Sequence, residues 1–146
     1  MKLPRTVHSG LMAATLSLLL LSCDGDPSVS LQQPDQWTFV NYWAVWCKPC
    51  IKEIPELNQL HALPGYRVVG VNFDGAVGAE LEEQVAQLNI QFPLLEHDPS
   101  EELGTTRPQV LPTTLLLSPE GALVTSLIGP QTKESLLAAV EQATEN

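Results

Sequence analysis

Cationic residues are few: seven Lys and Arg stand against 17 Asp and Glu in 146 residues, a formal charge of −10. Such a surface repels polyphosphate and anionic lipid, which excludes nucleic-acid binding and electrostatic membrane attachment as main functions. Cysteine is scarce too, with three in all, and no second pair at ligand spacing completes a zinc site. No internal repeat or second domain boundary is present. The apolar stretch from Leu11 to Leu21 is too short to span a bilayer, which needs about 20 apolar residues. With Lys2 and Arg5 before it, it has the form of an export leader.

The cysteines divide into two jobs. Cys23 ends the run Leu20, Leu21, Ser22, Cys23, which resembles the bacterial lipobox, where the leader is cut before a cysteine that then carries lipid. The plainer alternative is an ordinary signal peptide cut nearby, leaving Cys23 as an unpaired thiol or removing it. Asp24 follows directly, an acidic residue that in some enteric bacteria retains a lipoprotein at the inner membrane. The expected division is a leader over 1–22, a linker over 23–36 and one domain over 37–146. Cleavage before Cys23 leaves five cationic and 17 acidic residues, a formal charge of −12, in a chain long enough for one core. The linker would keep the domain within about 50 Å of the bilayer.

From Trp37 onward strand and helix patterns alternate. Trp37 to Trp43 is aromatic and β-branched with one polar interruption at Asn41, as in a buried strand. Ile51, Ile54, Leu57 and Leu60 predict a helix ending before Pro64 and Gly65. Arg67 to Phe73 predicts a strand, Ala79 to Leu88 an acidic amphipathic helix, and Phe92 to Leu95 a short strand. Thr113 to Leu117 and Leu123 to Ile128 flank Ser118–Gly121 as a hairpin. Thr132 can cap a last helix with Leu136, Leu137, Val140 and Ala143 facing inward. The fold class is α/β, a central mixed sheet flanked by helices.

Cys47, Lys48, Pro49 and Cys50 stand between the first strand and the first helix. The unpaired N–H groups and macrodipole of a helix N-terminus favour a thiolate at Cys47, the form that attacks disulfides. Cys50, three residues on, can reach Cys47 and resolve a mixed disulfide. Pro49 suits a first helical turn. Lys48 either adds positive charge beside the thiolate or is a solvated loop lysine. Half a zinc site would need two further ligands, with only His61 and His97 left; a purely structural disulfide closing so short a loop would add little stability. His61 is expected on a helix surface and His97 in a loop.

Trp43, Ala44, Val45, Trp46, Cys47, Lys48, Pro49, Cys50 resembles the active-site run of thioredoxin-fold proteins. The fuller pattern resembles the TlpA/ResA/DsbE-like branch of membrane-attached bacterial thiol-disulfide oxidoreductases. Asn41 stands where cytosolic thioredoxins carry a buried acid; Glu53 and Pro55 match the branch's Cys, x, x, Glu, x, Pro; and Leu111, Pro112, Thr113, Thr114 resembles the loop whose proline is cis and faces the cysteines. The resemblance covers Trp37 to about Ala143. It implies a thioredoxin fold, with a short or reduced N-terminal edge because few residues precede Trp37.

It also implies roles. The backbone of Leu111 beside Pro112 would pair with a partner's chain. Glu53, one turn beyond Cys50, would take the resolving thiol's proton, or is simply an acid in a helix's first turns. Trp46 would shield Cys47 and shape the contact surface, or be a core aromatic. The implied activity is a lipid-anchored extracytoplasmic protein-disulfide reductase, as in cytochrome c maturation, with no cofactor beyond the Cys47–Cys50 pair. Its partners would be exported protein thiols and disulfides and a membrane electron-donor thiol protein, and the domain is expected to be a monomer on the periplasmic face. An oxidase or isomerase and a non-catalytic client-binding module are the alternatives; a thiol peroxidase is a weaker one, since Ala44 replaces the Thr of Thr, x, x, Cys. The irregular segments Gly75–Ala79 and Ser100–Gln109 name no substrate.

Overall fold

The computed structural model describes Val29, Leu31 and residues 33–145. The leader, Cys23 and most of the linker lie outside the described residues. Among the described residues five strands form one sheet in the order β3-β2-β1-β4-β5. β1 is Trp37–Trp43, β2 is Tyr66–Asn72, β3 is Leu94–Leu95, β4 is Thr113–Leu117 and β5 is Leu123–Ile128. β1 lies parallel to β2 and antiparallel to β4, so it is central and buried on both faces. That is why it reads as a near-continuous apolar run. Among the described residues three helices, α1 (Lys48–His61), α2 (Gly78–Leu88) and α3 (Lys133–Thr144), complete a thioredoxin-like α/β fold. Among the described residues no strand precedes Trp37.

Side chains of β1 alternate between two cores. Phe39 and Trp43 join Cys47, Cys50, Ile54, Leu57 and Leu60 of the α1 region and Leu136 and Val140 of α3. Val40 and Tyr42 face the other way, with Val69, Val71, Leu115 and Leu117. Leu81, Val85 and Leu88 of α2 pack only partly buried against the first core, and no α2 residue is fully buried. Gly70 makes room beneath the site: a Cβ there would lie 2.4 Å from Leu94 Cδ2, 2.9 Å from Trp43 Nε1 and 3.0 Å from Phe92 Cε2.

Four boundaries differ from the pattern-based expectation, two of them starts that fall one residue earlier, β2 at Tyr66 and α2 at Gly78. β2 ends at Asn72 rather than Phe73, because the chain turns there, with Gly75 N–H donating to the Asn72 carbonyl at 3.2 Å. β3 begins at Leu94 rather than Phe92, since Pro93 has no N–H for a ladder. Its carbonyl accepts from Gly70 N–H instead, at 2.9 Å.

Candidate functional site

Strand β1 delivers the chain through Ala44–Trp46 into α1, and Cys47 is the helix N-cap. Its Sγ accepts from Cys50 N–H at 3.3 Å, an unusual cap that places sulfur where side-chain oxygens normally satisfy a free helical donor. Cys47 and Cys50 form a disulfide, with Cα atoms 5.2 Å apart. Both are buried, Cys47 at 4% and Cys50 at 0% exposure, so of the pair only Cys47 touches solvent. Lys48 and Pro49 are exposed. Among the described residues no group of three or more His, Cys, Asp or Glu converges as a metal site.

Beneath the disulfide lies a buried polar group. Glu53, 2% exposed, is one turn beyond Cys50 on α1, spacing that puts both on one face. Asn41 Nδ2 donates to Glu53 Oε1 at 2.6 Å and to Thr114 Oγ1 at 3.0 Å; Gln131 N–H donates to Glu53 Oε2 at 2.8 Å. Burial pushes the Glu53 carboxyl up to about 7, against the lowering effect of the Gln131 and Asn41 hydrogen bonds. Asn41 is thus a fully buried hydrogen-bonding strand residue. A cavity lined by Lys52, Glu53, Glu56, Pro130, Gln131 and Thr132 connects this acid with solvent.

The site's rim is aromatic. Trp46 is 60% exposed, so it is no core residue. Its Nε1–H donates to Asp74 Oδ2 at 2.8 Å, and its ring meets Phe73 edge-on with centroids 6.4 Å apart and planes at 86°. The Leu111–Pro112 peptide is cis. Leu111 packs partly buried against the core containing both cysteines, while the Pro112 carbonyl accepts from Gly129 N–H at 2.9 Å. His61 is half-buried at the end of α1, its Nδ1 accepting from Val68 N–H at 3.1 Å; burial and nearby Arg67 push its pKa down. His97 is an exposed loop residue near Glu102.

Sequence reasoning missed four contributors: Thr114 as a partner of Asn41, the Gln131 backbone, and Phe73 with Asp74. No sequence pattern marked the last two: the parallel register pairing Trp43 with Asn72 brings the chain after β2 alongside the chain after β1 only in the folded sheet. Gln131 carried no signal, because its N–H contributes whatever the residue type.

A Bacillus cereus protein, "Thiol-disulfide oxidoreductase ResA", is 36% identical over 110 residues, covering 73% of this chain and 62% of that protein. The Bacillus subtilis "Sporulation thiol-disulfide oxidoreductase A" is 28% identical over 132 residues, covering 85% of this chain and 78% of that protein. The crystal structure of StoA from Bacillus subtilis superposes with a TM-score of 0.57 at 25% identity, covering 77% of this chain and 84% of that one. The chain therefore spans less than two thirds of the length of its ResA relative. The model of the AhpC/TSA family matches residues 12–126, and with a thioredoxin-like fold and a Cys47–Cys50 disulfide at the head of α1, the chain belongs to that family.

Proposed function

We propose that this protein is an extracytoplasmic thiol-disulfide oxidoreductase that reduces disulfides of exported partner proteins, with cytochrome c maturation or related thiol upkeep as its setting. The observation that carries this reading is a disulfide at a helix N-cap with a near-neutral carboxyl buried one turn beneath it. The leader over 1–22 and lipid on Cys23 would hold the domain, 37–146, at the periplasmic face of a bacterial membrane.

In the reduced protein the Cys47 thiolate, favoured by the helix N-terminus, attacks one sulfur of the partner's disulfide. A Cys47–partner disulfide forms and the partner's other sulfur leaves as thiolate. Cys50 then loses its proton to ionised Glu53 and attacks Cys47 Sγ, forming the disulfide seen here and releasing the partner's second thiolate. Glu53 suits this step because an acid titrating near 7 both accepts and returns a proton at neutral pH. The Leu111 backbone beside Pro112 would pair with the partner's chain, and Trp46 would form the contact platform. A membrane thiol protein would return two electrons to the pair. Ala44, three residues before Cys47, supplies no hydroxyl and argues against peroxide reduction.

The test is the equilibrium reduction potential of the Cys47–Cys50 pair. A value near or below about −250 mV supports a reductase, and one above about −160 mV replaces it with an oxidase. Cys50→Ser should halt turnover and accumulate the mixed disulfide at Cys47, detectable by mass spectrometry. If Cys47→Ser with Cys50→Ser keeps the full effect on a client, the protein is a binding module instead.

A further inference from the structure

We infer that Arg107 is a positioning residue for the Trp46 platform and thereby brings the segment Ser100–Gln109 into the partner-recognition face. The inference rests on the oxidoreductase reading. Arg107 belongs to no strand or helix, yet its guanidinium carbon lies 4.2 Å from the centroid of the Phe73 ring. The same group donates to the Phe73 carbonyl, and its Nε pairs with Asp98 Oδ2 at 3.0 Å. Asp98 Oδ1 in turn accepts from the Tyr42 hydroxyl at 2.8 Å and from Ser100 N–H at 2.9 Å. Phe73 then presents its ring to Trp46. A buried residue of the central strand is thus tied, through Asp98, Arg107 and Phe73, to an exposed indole one residue before Cys47.

An exposed tryptophan left alone samples several rotamers, and ordering it at each encounter weakens binding. Here the ring is held before any partner arrives, by Asp74 on its N–H and by the T-shaped contact with Phe73. Phe73 is itself only half-buried, so packing alone does not immobilise it; the cation over its ring and the bond to its carbonyl do. The planar guanidinium serves ring, carbonyl and carboxylate together, which a lysine ammonium does not. Arg107, Asp98, His97, Asp74 and Phe73 also line one cavity, so the two residues that touch Trp46 share a surface with Arg107.

The test uses the full chain and two readouts. One is the indole Nε1–H resonance of Trp46, assigned by its loss in Trp46→Phe. The other is kinetics with insulin as a protein disulfide, dithiothreitol supplying electrons, compared with oxidised glutathione as a small disulfide that does not need the platform. Arg107→Ala should move the Trp46 resonance and raise KM for insulin by roughly two- to fivefold, with kcat and the glutathione reaction nearly unchanged. Arg107→Lys should restore part of both. If Arg107→Ala does not fold, Arg107→Lys must show the same two changes in smaller measure. An unmoved resonance with unchanged insulin KM, or an equal loss on insulin and glutathione, overturns the inference. Should the wild-type pair cycle with neither insulin nor glutathione, the oxidoreductase reading fails, and the Trp46 resonance alone decides whether Arg107 holds the indole.

Discussion

Asn41 and Tyr42 are neighbours on one strand and lead to two different polar networks. Asn41 turns toward α1 and meets Glu53, Thr114 and, through Glu53, the Gln131 backbone. Tyr42 turns to the opposite face and meets Asp98 and, through it, Arg107. The first network is buried, so its one ionisable group titrates far from its ordinary range. The second is partly solvated: Asp98 is held below the ordinary carboxylate range by the Ser100 and Tyr42 hydrogen bonds and the Arg107 charge, against the opposing effect of its partial burial. Depth separates their tasks, because low polarity makes a proton's location negotiable, whereas a solvated ion pair fixes shape at small energetic stake.

Glu53→Gln would break the comparison most. Resolution of the mixed disulfide should slow by about 10- to 100-fold, and its rate inflection near pH 7 should vanish in stopped-flow traces. Stability follows with a defined sign. Glu53 has a folded pKa of about 7 against an ordinary 4.5, so the folded protein holds the proton more tightly. Wild-type stability should therefore fall as pH rises from about 4.5 to 7, by on the order of 2–3 kcal/mol, and level off above. Urea melts at pH 5 and pH 8 should show that fall, and Glu53→Gln should lack it.

Gly70→Ala comes next, because it overpacks the core beside β1, where Gly70 pairs in register with Asn41. The added methyl meets the Trp43 and Phe92 rings as well as the movable end of Leu94, and a loss of about 1–3 kcal/mol is expected by chemical denaturation. Tyr42→Phe tests the other face. It removes one hydrogen bond from Asp98 while Arg107 and Ser100 remain, so it should cost about 0.5–1.5 kcal/mol and leave the pH profile of resolution intact. The smallest effect belongs to Lys48→Gln, which alters an exposed charge outside both networks. It should make the redox pair more reducing by about 10 mV in a glutathione titration.

Much of this was readable in the chain. The spacing of Cys47, Lys48, Pro49 and Cys50 between an apolar strand and an amphipathic helix located the thiols, and the alternation along Trp37–Trp43 located the central strand. Leu123–Ile128 and Thr132 were legible because hairpin turns and caps are chemistry of adjacent residues; the capping box at Thr132 and Ser135 formed as such local signals do. Arg107 was not legible: its partners Phe73 and Asp98 lie 34 and nine positions away, and no periodicity records that a side chain in an irregular segment crosses to the end of another strand.

The sequence by itself determined what is local and repetitive: strand and helix identity, the helix-capping cysteine, and the pairing reach of a second cysteine three residues on. Only the tertiary structure decided that Glu53 is buried against Asn41 and the Gln131 backbone, and that Trp46 is braced by Phe73 and Arg107. Both depend on distances between segments remote in the chain. Burial and the low polarity it brings, which set the Glu53 pKa, exist only once those segments have packed.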